Sequence, residues 1–210
     1  MSEYWKWKAS DDRFRWLDAF VDGWQFGEQG VLWALCQAGY VPEKSAYEIG
    51  AGDGNSLPIT VEPAYDANWR TVLYEIDPER QLALRENFPN AYIHGRFIEP
   101  QAAMADSLVV IDIDRYDVRI MQSILSKNIF PAVMMVEHYD TCGPCIGTEP
   151  NLSDVPDWLL GMRLDIGGFT IQAPWKRLDA IASHYDYTLI GISRVNSIFV
   201  YNRYVNKLEK

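Results

Sequence analysis

A short apolar run, Ser45-Ala46-Tyr47-Glu48-Ile49, is followed at once by Gly50-Ala51-Gly52-Asp53-Gly54. Alternating glycines straight after a strand let the backbone turn sharply and press against another group without Cβ interference. A second apolar run, Val72-Leu73-Tyr74, ends in Glu75-Ile76-Asp77. An acid that closes the strand after a glycine turn is placed to hydrogen-bond the two hydroxyls of a ribose. The two features together constrain the chain to an α/β sheet with an adenosine-bearing ligand at its strand ends. A tight strand–helix turn with no ligand is the plainer alternative.

The spacing of the glycines says which ligand. A dinucleotide fingerprint reads G-x-G-x-x-G and sets a pyrophosphate on a helix N-terminus. Here the glycines read G-x-G-x-G, and Glu48 precedes them. A carboxylate there would repel a pyrophosphate but suits a cofactor carrying a cationic ammonium and sulfonium. That cofactor is S-adenosylmethionine, and the residues expected to hold it are Glu48, Gly50, Gly52, Gly54 and Glu75, with Asp112 on a neighbouring strand end.

The apolar pattern supports a sheet of this kind. Strands are expected at 45–49, 71–75, 91–94, 108–113 and 132–137, with helices at 78–88 and 116–126. In the second helix Val118, Met121, Ile124 and Leu125 form one apolar face. Apolar runs separated by helices imply a mostly parallel sheet covered on both faces. The helix after the glycine turn should be short or irregular, because Pro58 and Pro63 interrupt it. Pro174 is suited to open a helix running to Tyr185. The last two β-rich runs, 187–192 and 197–201, are joined by too few residues for a crossover helix, so they must be antiparallel. A mostly parallel sheet ending in one antiparallel hairpin strand is the Rossmann-like architecture of class I methyltransferases.

Residues 1–40 read as a helical N-terminal segment, either a lid or a packing extension, and 41–210 as the α/β domain. Five of the eight tryptophans, Trp5, Trp7, Trp16, Trp24 and Trp33, fall in the first segment. Core and packing surface is the plain reading, and a substrate lid or the interface of a homodimer is the sharper one. The 210 residues suffice for one ordinary domain, and a 48% hydrophobic content agrees with a substantial core. No run approaches the roughly 18 apolar residues of a membrane span. No signal segment opens the chain, so a cytoplasmic location is expected. The formal charge of −10 argues against a nucleic-acid partner and leaves a small molecule as the expected one.

Every expected strand ends in an ionisable residue: Glu48, Glu75, His94, Asp112 with Asp114, and Glu137 with His138. Packing alone would favour apolar or small residues at these places. Asp112, Asp114, Glu137 and His138 would bind a divalent cation such as magnesium, which could lower the pKa of an acceptor hydroxyl. Alternatively His138, with Asp114 and Glu137, performs general acid–base catalysis directly. Asp114 could instead cap the helix that follows. His94 lies near the expected adenine edge, where Gly95-Arg96-Phe97 could cover the base. Cys142-Gly143-Pro144-Cys145 copies a redox dithiol, but no helix is expected after it to activate a thiolate, so coincidence or a loop staple is favoured.

These residues resemble the FkbM-like group of S-adenosylmethionine-dependent methyltransferases. The branch in question has an IDIDG-x-D strand motif, here Ile111-Asp112-Ile113-Asp114-Arg115-Tyr116-Asp117. It also has an acid-ended fifth strand, here Val136-Glu137-His138-Tyr139, and an N-x-F-F-V-like hairpin, here Asn196-Ser197-Ile198-Phe199-Val200. Arg115 departs from the expected glycine, and His138 and Tyr139 stand where the group has an aromatic and an asparagine. The resemblance implies the cofactor and the fold, with a lean towards O-methylation of a sugar or small hydroxylated metabolite. The alternative is a non-catalytic methyltransferase-like binding or scaffold protein.

Overall fold

The computed structural model describes residues 7–21, 27–55, 59–113, 116–138 and 175–205. Its strands are β1 (Lys8–Ala9), β2 (Ser45–Ile49), β3 (Arg70–Tyr74), β4 (Tyr92–His94), β5 (Leu108–Ile111), β6 (Val133–Glu137), β7 (Tyr187–Ile192) and β8 (Asn196–Tyr201). Its helices are α1 (Glu28–Gln37), α2 (Glu62–Asp66), α3 (Pro78–Asn87), α4 (Asp117–Leu125), α5 (Trp175–His184) and α6 (Asn202–Val205), with 3-10 turns at Asp12–Phe20 and Ala102–Met104.

The strands form one sheet in the order β1-β7-β8-β6-β5-β2-β3-β4. Strands β2 to β6 pair in parallel, and β8 enters antiparallel between β6 and β7. This is the expected class I architecture, Rossmann-like, with its C-terminal antiparallel hairpin. The order reverses at β2, whose neighbours are β3 on one side and β5 on the other. A crevice opens at such a reversal, outside the carboxyl ends of the strands.

Local sequence accounts for the elements. Strands β2, β5 and β6 are buried along nearly their whole length, as expected for a sheet covered on both faces. Asp77 caps α3 by accepting the Glu79 and Arg80 amides, and Pro78 follows in the first turn. The helix after the glycine turn is only five residues long. The sheet separates two apolar layers. Ala46, Leu73, Val110 and Met135 face one of them, together with α1 and the N-terminal residues Trp7, Phe14 and Leu17. Tyr47, Val72, Ile111 and Val136 face the other, together with α4 and α5.

The N-terminal segment differs from the all-helical expectation. Lys8 and Ala9 pair with Ile192 and Gly191, adding an edge strand. Trp7 packs against Gly191, where a Cβ would come within 2.3 Å of Trp7 Cζ2. Only glycine at 191 admits the indole. Cys36 is buried in α1, and burial pushes its thiol up to about 12. Among the described residues, no helix is long and apolar enough to cross a membrane. Cys142, Cys145, Asp114, Arg115 and Pro174 lie outside the described residues.

Candidate functional site

The glycine turn sits at the carboxyl end of β2, at the point where the strand order reverses. Its first amides are tied to the next strand: the Gly50 and Ala51 nitrogens both donate to the Tyr74 carbonyl, at 2.9 and 3.1 Å. Glu75 then accepts the Gly52 amide on Oε2 at 2.9 Å and the Asp77 amide on Oε1 at 2.8 Å. The acid expected to meet a ribose is therefore also the brace of the turn. A carboxylate offers about four acceptor positions, so two bonds leave capacity for ribose hydroxyls.

The glycines serve the fold more directly than the spacing suggests. Gly50 has φ +95°, and a Cβ there would lie 1.7 Å from the Asp112 carbonyl oxygen. The group that presses on Gly50 is the backbone just past the end of β5. Gly54 has φ +70°, and its Cβ would meet Phe88 at 2.4 Å. Gly52, at φ +66°, presents its amide to Glu75.

Glu48 also departs from expectation. It is buried, and its two oxygens accept the amides of Thr60 and Val61 at 2.9 and 3.1 Å, which ties the approach to α2 onto the end of β2. Burial pushes its carboxyl up to about 7, and the like charge of Asp112 pushes the same way against the backbone bonds. Its first role is thus to hold protein backbone, and below about pH 7 it keeps its proton and adds no charge to that of Asp112.

Side chains alternate along a strand. Asp112 follows Val110 by two residues and Glu137 follows Met135 by two, so both project on the face that carries α1. Both are half-buried. His138 projects on the opposite face. It is 1% exposed, and its Nδ1 shares a hydrogen bond with Ser197 Oγ at 3.0 Å. Of the expected cluster Asp112, Asp114, Glu137 and His138, two carboxylates share a face, the imidazole lies on the other, and Asp114 is outside the described residues. Among the described residues no three His, Cys, Asp or Glu side chains group as metal ligands; Asp114, the fourth residue of the expected cation site, lies outside them. Asp117, in the first turn of α4, accepts the Ile113 amide at 2.9 Å, while the expected cap residue Asp114 lies outside the described residues.

Two groups escaped the sequence reading. Ile76, directly after Glu75, is 70% exposed at the mouth of the crevice. An apolar residue behind a strand-terminal acid was the available signal. Glu28, on the first turn of α1, is buried, and Oε1 accepts from Ser193 Oγ and from Asn196 Nδ2. Asn196 itself lies directly across from Glu137 in the β6–β8 pairing. Nothing local in the sequence marks Glu28. At the expected adenine edge His94 is exposed and stacks on Tyr74, whose ring Phe97 meets edge-on.

No protein-family model matches the chain, and no curated protein matches it by sequence. Solved structures resemble it. The mitomycin 7-O-methyltransferase MmcR is 16% identical, with a TM-score of 0.44 over 83% of this chain and 56% of that one. LepI in complex with SAM is 14% identical, with a TM-score of 0.49 over 88% of this chain and 46% of that one. An SAH-bound methyltransferase from Podospora anserina is 15% identical, with a TM-score of 0.47 over 90% of this chain and 86% of that one. The chain thus spans about half the length of the first two. The strand order does not depend on these likenesses: it follows from the hydrogen-bonded pairs above.

Proposed function

We propose that the protein is an S-adenosylmethionine-dependent methyltransferase that methylates a hydroxyl of a small metabolite or sugar, on the FkbM-like pattern. One observation carries the reading: Glu75, closing β3, meets the amide of Gly52 in the turn that closes β2, at the reversal of the strand order. This brings a ribose-binding acid and a tight glycine turn to one crevice.

The cofactor would supply the methyl group from its sulfonium. The chain's own part is alignment and charge. Glu75 would take the ribose hydroxyls, and Ile76 would offer an apolar surface to the adenine. Asp112 would set a negative potential suited to a cation and hostile to a pyrophosphate, joined by Glu48 only where it has lost its proton. Asp112 and Glu137, sharing one face, would orient the acceptor hydroxyl and take its proton. Alignment of this kind supplies much of the rate in a displacement reaction.

Calorimetric titration with S-adenosylmethionine and S-adenosylhomocysteine, with and without magnesium, tests the reading. Saturable binding of both, with none for NAD, is expected. Absence of binding would sink it. A second reading, a non-catalytic binding protein of this fold, is favoured by the burial of His138 behind the sheet. Cofactor binding without S-adenosylhomocysteine release across a panel of sugars and hydroxylated metabolites would support that reading.

A further inference from the structure

The first turn of α1 holds two parts of the chain that are distant in sequence. On one side Glu28 takes the Ser193 hydroxyl and the Asn196 amide group, the latter at 3.1 Å. On the other side Gln29 Nε2 donates to the Ile59 carbonyl at 3.2 Å. Ile59 directly precedes Thr60 and Val61, whose amides sit on Glu48.

The Glu28 contact sets the conformation of the hairpin turn. With its proton aimed at Glu28, the Ser193 hydroxyl accepts the backbone amides of Asn196 at 3.1 Å and Val195 at 3.4 Å. The Val195 carbonyl then receives the His138 amide at 2.6 Å, which fastens the turn to the end of β6. Hydrogen bonds to a buried carboxylate are among the stronger ones, and little water competes for them. A continuous path of hydrogen bonds and backbone therefore runs from Glu48 beside the glycine turn to the hairpin beside Glu137.

We propose that Glu28 and Gln29 are positioning residues that couple occupancy of the cofactor site to the order of hairpin turn 193–196. The proposal rests on the methyltransferase reading. A ligand that steadies the glycine turn steadies Thr60 and Val61 through Glu48. Gln29 and Glu28 carry that constraint to Ser193. The acceptor side of the crevice, where Asn196 faces Glu137, is then ordered before the acceptor arrives. A site already ordered costs a second ligand less, which makes cofactor-first binding the favoured sequence.

Hydrogen exchange on the full chain, with and without saturating S-adenosylhomocysteine, tests this. In the wild type the amides of Val195, Asn196 and His138 should slow about fivefold, the low end for coupled sites. Gln29→Leu removes the link to Ile59 without touching the buried carboxylate, and so avoids the folding risk of a Glu28 variant. It should still bind S-adenosylhomocysteine and protect the glycine turn, but lose the slowing at 193–196. Binding by the wild type with unchanged hairpin exchange overturns the coupling. So does full slowing in Gln29→Leu. No binding by the wild type removes the methyltransferase reading, and the coupling falls with it.

Discussion

Glu75 Oε2 holds the backbone amide of Gly52 at 2.9 Å, so the carboxylate expected to meet a ribose also shapes the glycine turn. The two roles have separable consequences. Glu75→Ala should lose about 1.5–3 kcal/mol of S-adenosylhomocysteine binding, the size of a hydrogen bond to a charged group. It should also lower the melting temperature, because the Gly52 and Asp77 amides lose their acceptor. Calorimetry and a thermal melt read the two effects. Unchanged affinity in a folded variant removes Glu75 from the cofactor site.

Gly50 and Gly39 both have positive φ, at +95° and +85°, but only Gly50 is pressed by its surroundings. Gly50→Ala should lose on the order of 3 kcal/mol or more, from backbone strain plus collision with the Asp112 carbonyl. Gly39→Ala meets nothing within 4 Å and should lose about 1–2 kcal/mol, from strain alone. Urea denaturation of the pair checks this. Equal losses would mean that close approach to β5 is not what requires glycine at 50.

Glu48 should give stability a particular pH dependence. Its carboxyl is raised from 4.5 to about 7 in the folded protein, chiefly by burial. The native state therefore keeps a proton that the unfolded chain releases between those values. Stability should fall as pH rises through that window, by on the order of 3 kcal/mol from this group. Glu48→Gln, which cannot titrate, should flatten the curve. Denaturant midpoints from pH 4.5 to 8 measure it, and a wild-type curve that rises through the window with no change in the variant contradicts the assignment.

Ser197→Ala should act on stability and not on the cofactor. His138 Nδ1 loses its partner inside the core, at a cost of about 1–3 kcal/mol. S-adenosylhomocysteine affinity should stay unchanged, because the pair lies on the face away from Asp112. Loss of affinity at full stability would bring His138 back into the site.

Much of this architecture was legible in the sequence. The run 45–49 reads as a strand because its apolar residues need cover on both faces, and β2 has those bounds. The Ser193–Val195 link is too short for a crossover, which made β7 and β8 antiparallel neighbours. Within the site, the pairing of Glu75 with the glycine turn was also readable. Residue spacing showed that the two adjoin, though not that the acid would brace the turn itself. The burial of His138 was not legible because its surroundings depend on Ser197, fifty-nine positions away on another strand.

Alone, the sequence determined most of the strands and helices from residue 45 onward, the tight turn at Gly50 and the antiparallel hairpin. Each depends on periodicity, steric limits or loop length within a few residues. The tertiary structure decided that Gly50 gives way to the Asp112 carbonyl, that Trp7 packs on Gly191, and that Glu28 is buried against Ser193 and Asn196. Those relationships join residues far apart in the chain. They exist only once the sheet is ordered, because a Cβ collision or a buried carboxylate's donors are set by whichever strand and helix come to lie beside it.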